Sequence, residues 1–216
     1  MKSGRGSPSA FYKYTSIEQM KKKAKILMFA GALLPLLLFV FPLWKITLEA
    51  PQYPTPLGMY IYINDFADAN PHDIKNINLM NHYVGMKYIP DAIPEFKIFP
   101  AGIIITTIIG LLIAFKANYK WYLYWFILMG VLSAAGLYDF YLWEHDYGYD
   151  LDPKAIMKFT NPDGSIMGFQ PPLFGSKDIL NFTAHSYPQL GAFGLALGMG
   201  ISFVAYLIGK KNNKIQ

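Results

Sequence analysis

The side chains best suited to chemistry in this sequence are thioethers and imidazoles. The 216 residues include ten methionines and four histidines but no cysteine. Thiolate chemistry and disulfide staples are therefore excluded, and a soft metal ion would rest on methionine and histidine. Those residues concentrate in Asn78-Leu79-Met80-Asn81-His82-Tyr83-Val84-Gly85-Met86, with Met59 and His72 upstream. Thioether and imidazole together suit Cu(I), whereas zinc more often recruits cysteine or several histidines. On a continuous helix His82 and Met86 share a face, but Gly85 argues against an unbroken helix there. His185 could face His82 or His145. The same residues also serve plain packing, with Met80 and Met86 seating the segment on a membrane surface and His82 making an ordinary hydrogen bond.

A second constellation is Asp139 with Trp143-Glu144-His145-Asp146-Tyr147. Asp139, Trp143 and Asp146 recur at helical spacing, so a continued helix puts two carboxylates and an indole on one face, with His145 off that stripe. An ionisable group near the end of a membrane span is costly unless paired or wet, which makes Asp139 a candidate functional group. Asp139, Glu144, His145 and Asp146 suit a proton relay or hard-metal ligands. They equally suit a helix end whose carboxylates meet water or a tyrosine hydroxyl. Calcium binding by the later stretch Asp150-Leu151-Asp152 lacks the regular loop spacing that ion prefers.

The elements that must position these groups follow from hydropathy. Apolar residues make up 53% of the chain and aromatic residues 17%, and the apolar ones gather in long uncharged runs, which points to lipid. Four such runs, 26–44, 99–115, 121–140 and 187–209, predict four transmembrane helices, since about 20 residues at 1.5 Å rise cross the hydrocarbon core. The first is too long for a cleavable signal and lacks a small-x-small site after it. The expected fold is thus an all-α integral membrane protein with two long, partly folded outer loops, 45–98 and 141–186. A basic tail (1–25), a tight turn (116–120) and a second tail (210–216) complete the chain.

Orientation follows from charge. The two tails and the turn carry twelve of the nineteen basic residues and one acid, Glu18, so all three are expected on the cytoplasmic side, against anionic lipid rather than nucleic acid. The acidic, proline-rich and aromatic loops then face outward and are the expected working parts. Met59 to Ile63 alternates as a short strand, and Ile74 to Tyr83 suits one or two helical turns. Neither loop is long enough to be a domain by itself. Gly194 and Gly198 in the last run offer a face for close helix approach, within the bundle or against a partner. Phosphate-binding, nucleophile-elbow and zinc-protease signatures are absent, and no internal symmetry of the transporter kind is visible.

The strings Ala50-Pro51-Gln52-Tyr53-Pro54, Leu57-Gly58-Met59-Tyr60, Ile77 through Met86 and Gln170-Pro171-Pro172-Leu173 resemble the NosB-like small polytopic membrane proteins of nitrous-oxide reductase gene clusters. The resemblance runs over most of the chain from Trp44 onward. It implies a bacterial inner-membrane accessory protein that helps make, supply or anchor a periplasmic copper enzyme of denitrification, rather than an enzyme. Copper is the implied cofactor; the residues that would hold it, Met59, Met80, His82, Met86 and His185, rest on ligand chemistry alone, and membrane lipids and protein partners of a membrane complex are the expected company. The alternative is a structural or electron-transfer scaffold subunit without a metal.

Overall fold

A computed structural model describes residues 8–215, with side chains from 17 to 213. The first seven residues of the expected basic tail and Gln216 lie outside the described residues. Among the described residues the chain forms five α-helices, α1 (Pro8–Leu33), α2 (Asp73–Val84), α3 (Glu95–Lys116), α4 (Tyr119–Tyr149) and α5 (Leu190–Ile215). It also forms five strands, β1 (Trp44–Glu49), β2 (Leu57–Ile61), β3 (Phe66–Asp68), β4 (Gly175–Ile179) and β5 (Phe182–Pro188). The described residues divide into two compact units, one of residues 8–37, 102–132 and 194–215, the other of residues 38–101 and 133–193.

This corrects the all-α, four-span expectation. Three helices, α3, α4 and α5, are long and apolar enough to cross a membrane. The first apolar run is instead divided: α1 stops at Leu33, a 3₁₀ segment covers Leu34–Phe39, and Trp44 begins a strand. Pro35 explains the break, because it lacks the N–H and fits a first turn but not a helix interior. Beyond it, Trp44, Ile46 and Leu48 take every second position of β1, a period that matches a half-buried strand as well as a membrane run.

In the first unit Ala24, Met28 and Ala32 of α1, Ala114 of α3, Tyr122, Trp125 and Met129 of α4 and Ala205 of α5 form the buried core. The Trp125 indole N–H donates to the Thr106 carbonyl at 2.9 Å, and Gly110 makes room for it, since a Cβ there would lie 2.8 Å from the indole nitrogen. Outside this core, Ile104, Ile105, Ile108, Leu112, Ile127, Leu128, Val131, Leu197 and Val204 are exposed. Apolar surface on that scale belongs in lipid rather than water. Gly31 and Gly198 meet backbone to backbone, a Cβ on either lying 2.8 Å from the other's carbonyl oxygen, so the glycine face of α5 is used within the unit. Gly198→Val should therefore lower stability by about 1–3 kcal/mol, read as a lower melting temperature in mild detergent; an unchanged melt would show that α1 and α5 part freely.

The second unit is built on an antiparallel sheet of order β3-β2-β1-β5-β4. Its central pairing joins the two loops: β1 sits between β2, with Ile46 opposite Met59, and β5, with Leu48 opposite Ala184. Neither loop is a domain alone, but together they share one sheet. Trp44, Ile46, Leu57, Met59, Ile77 and Ile89 form the larger buried cluster, and Phe169, Ile179 and Ala184 a second. Of the expected strand Met59 to Ile63, Met59 to Ile61 lie on β2, which begins earlier at Leu57, and the expected helical turns lie on α2. Four further strands, β1, β3, β4 and β5, had no counterpart in the expectation.

Candidate functional site

One face of the sheet carries a small cavity. Ile46 and Leu48 of β1, Met59 of β2, Ile179 of β4 and Phe182 and Ala184 of β5 line one wall. Ile77, Met80, Asn81 and Val84 of α2, then Met86 and Ile89, line a second, and Trp143, Glu144 and Tyr147 of α4 with Phe169 and Pro171 close it. The volume is about 100 Å³. Sheet alternation selects the strand residues, because side chains two apart share a face and the register sets Ile46 opposite Met59 and Ser186.

Helix α2 is held over this face by polar ties at its two ends. Asp73 is buried, and its Oδ2 accepts from the Gly58 N–H at 2.8 Å, the Asn70 N–H at 2.9 Å and the Asn70 Nδ2 at 3.0 Å. His72, before it, takes the left-handed conformation at φ 71°, so its place is at the helix entry. At the other end Gly85, at φ 82°, ends the helix and lets the Met86 N–H reach the Asn81 carbonyl at 2.9 Å. A left-handed residue here reverses the chain at little cost only if it is glycine. Met86 therefore leaves the helix that carries His82, and the reversal returns it to the cavity wall.

The second loop fastens this corner. The Asp152 N–H donates to the Gly85 carbonyl at 2.8 Å and the Met157 N–H to the Tyr83 carbonyl at 2.9 Å. Lys87 pairs with Asp150, both exposed. The Phe169 N–H donates to the Gly148 carbonyl at 2.8 Å.

Met59, Met80 and Met86 are thus brought together, and His82 and His185 are not. His82 is exposed on α2, with its ring stacked on Tyr88 at 6.1 Å. His185 falls on the opposite face of the sheet from Ala184 and Phe182, where its Nδ1 is 2.7 Å from the Ser176 hydroxyl and its Nε2 3.4 Å from Glu49. Met80 Sδ also accepts from Gln52 Nε2 at 3.6 Å.

The carboxylate constellation separates as well. Asp139 is half-buried, while His145 and Asp146 are exposed on α4, with His145 stacked on Tyr149 at 4.7 Å. Trp143 and Glu144 turn toward the sheet unit's core. Among the described residues no three of His, Asp and Glu gather to hold a metal ion.

Glu144 is the residue whose place the helical stripe of Asp139, Trp143 and Asp146 did not show. It is 0% exposed, and neither carboxyl oxygen has a hydrogen-bond partner. Helix α4 is longer than the ~20 residues a bilayer needs, and Glu144 lies beyond the apolar run 121–140, inside the sheet unit. Burial pushes its carboxyl up to about 8, since an unpaired charge in an apolar wall is the costly form. At neutral pH it is mainly the protonated acid. A clue was available: Glu144 lies four residues after Phe140 and three before Tyr147, a spacing that defines the inward face.

These features define a chain with three helices long and apolar enough to cross a membrane and a sheet unit whose cavity is lined in part by methionines. The chain matches no protein-family model, and no curated protein is found to be similar to it.

Proposed function

We propose that the chain is a bacterial inner-membrane accessory protein of a periplasmic copper enzyme, in the nitrous-oxide reductase system that its sequence resembles. In this reading its sheet unit takes up Cu(I) on Met59, Met80 and Met86. The observation that supports it is the convergence of those three methionines, from β2, α2 and the segment after α2, on one cavity. Thioethers favour Cu(I) over harder ions, and the buried Glu144 carboxyl on the same wall offers an oxygen that becomes a compensating charge when the entering cation displaces its proton. Copper supplies no reaction step here; the protein's part is to hold the ion in an apolar pocket and release it to a partner. The basic ends of the chain face the cytoplasm in this reading, as the positive-inside rule requires.

The full chain in detergent, titrated with Cu(I) under reducing conditions against a competing chelator, tests this. One copper per chain is expected. Met59→Leu, Met80→Leu and Met86→Leu should each weaken binding roughly tenfold or more, because leucine keeps the volume and removes the ligand. His82→Ala and His185→Ala should leave it unchanged. Full binding by the triple leucine variant would sink the proposal. Binding by none of the forms would favour the metal-free scaffold, for which exposed Ile156, Ile166 and Phe174 offer apolar contact surface.

A further inference from the structure

A second cavity, in the first unit, is of a different kind. It is a polar cleft of about 390 Å³ lined by Lys21 and Ala24 of α1, the turn Ala117-Asn118, Tyr119, Lys120 and Tyr122 of α4, and Gly209, Asn212 and Asn213 of α5. Among the described residues two ammonium groups line it and no carboxylate does, while the N-terminus of the 31-residue α4 opens into it. Aligned peptide dipoles and lysines together favour an anion at such a place. The Asn118 side chain is already committed, its Oδ1 accepting from the Lys120 N–H at 3.1 Å.

Asn212 supplies an independent pointer. It is only 2% exposed, and its Oδ1 has no hydrogen-bond partner. A buried carbonyl left unpaired costs about 1–3 kcal/mol, so the cleft calls for a donor as well as an anion. Gly209 explains why Asn212 sits so close to the start of α4: a Cβ at Gly209 would lie 2.4 Å from the Tyr119 Cβ, so glycine alone lets the two helices approach there.

We propose that this cleft binds a phosphate ester that also carries a hydrogen-bond donor, the phosphate on Lys21, Lys120 and the α4 N-terminus and the donor on Asn212 Oδ1. Phosphatidylglycerol and phosphatidylethanolamine headgroups have this chemistry, and so does soluble glycerol phosphate. The site is independent of the methionine cavity and of the copper reading.

Native mass spectrometry of the full chain in detergent tests it, with dioctanoyl phosphatidylglycerol, phosphatidylethanolamine and phosphatidylcholine as probes. One phosphatidylglycerol per chain is expected, held roughly tenfold more tightly than phosphatidylcholine, whose trimethylammonium group has no N–H to donate. The Lys21→Ala/Lys120→Ala double variant should lose roughly tenfold or more of that affinity. Asn212→Leu should bring the glycerol and choline headgroups level. Competition by tail-free glycerol phosphate at similar concentration identifies a soluble ligand as the source, and lipid retention in its presence identifies the membrane. Equal retention of phosphatidylcholine by the unmodified chain would overturn the proposal. So would undiminished phosphatidylglycerol binding by the double lysine variant, whose two side chains are exposed and can be removed without disturbing the core.

Discussion

The unmodified protein should lose stability steadily as pH rises from about 4.5 to about 8, and Glu144→Gln should not. Below the ordinary glutamate value of 4.5 the carboxyl is protonated in both folded and unfolded chains, so it contributes no pH dependence. Between 4.5 and about 8 the unfolded chain ionises while the buried carboxyl keeps its proton, and each pH unit costs the folded state ~1.4 kcal/mol. Above about 8 both are ionised and the loss levels off, at about 5 kcal/mol in total. Thermal melts in detergent at a series of pH values, followed by tryptophan fluorescence, read this directly. The amide of Glu144→Gln cannot titrate, and Glu144→Leu, which removes both orphaned oxygens, should also exceed the unmodified protein in stability at pH 8. Parallel pH curves for all three would mean that water reaches the carboxyl and the wall is not dry.

Asp73→Ala carries the second large effect, a loss of about 3 kcal/mol or more. The substitution removes one oxygen that accepts from Gly58 and twice from Asn70, and leaves the Gly58 N–H buried without an acceptor. Charge-assisted bonds of this kind are worth more than neutral ones. The consequence extends to the cavity, because Asp73 is the first residue of α2 and ties it to the start of β2; loosening it frees Met80 relative to Met59. Copper affinity should therefore fall along with stability, whereas Asp73→Asn, which keeps an acceptor oxygen of the same reach, should lose less of both. A chemical denaturation series beside the copper titration measures the pair, and a loss under about 1 kcal/mol would mean that solvent replaces the carboxylate.

What the sequence disclosed depended on whether hydropathy has one reading. The runs on α3, α4 and α5 are long and nearly uncharged, as a helix that crosses a bilayer requires, and Met59-Tyr60-Ile61 between turn residues reads as a strand without competition. Trp44-Lys45-Ile46-Thr47-Leu48 was ambiguous: its alternation joins smoothly onto the apolar residues before it, and only pairing with β2 and β5 decides the matter. Gly175-Ser176-Lys177-Asp178-Ile179 carries too little apolar content to signal a strand at all. It is held by β5 across a hairpin whose turn places Leu180 at φ 56°. The fourth run was expected to begin at Tyr187, which is in β5; the helix starts at Leu190.

The site divides in the same way. Met59, Met80 and Met86 are legible from residue type, but their meeting depends on the sheet register and on the reversal at Gly85. His82 and His185 were linked to them by chemistry alone, and strand alternation turns His185 to the far face. Glu144 was not singled out because its neighbours His145 and Asp146 look equally reactive; the inward stripe of Phe140, Trp143 and Tyr147 is what tells them apart.

The position of β1 in the middle of the sheet has a consequence for biogenesis. One edge of β1 pairs with β2, which follows it at once during synthesis, but the other waits for β5, near the end of the chain. Translation of α3 and α4 falls in between, so the sheet unit stays half-built, with one strand edge open, while those two apolar helices leave the ribosome. An open edge is a template for pairing with other chains, which makes the interval before residue 188 the period when this protein has most need of a chaperone on the side of the membrane where its sheet forms.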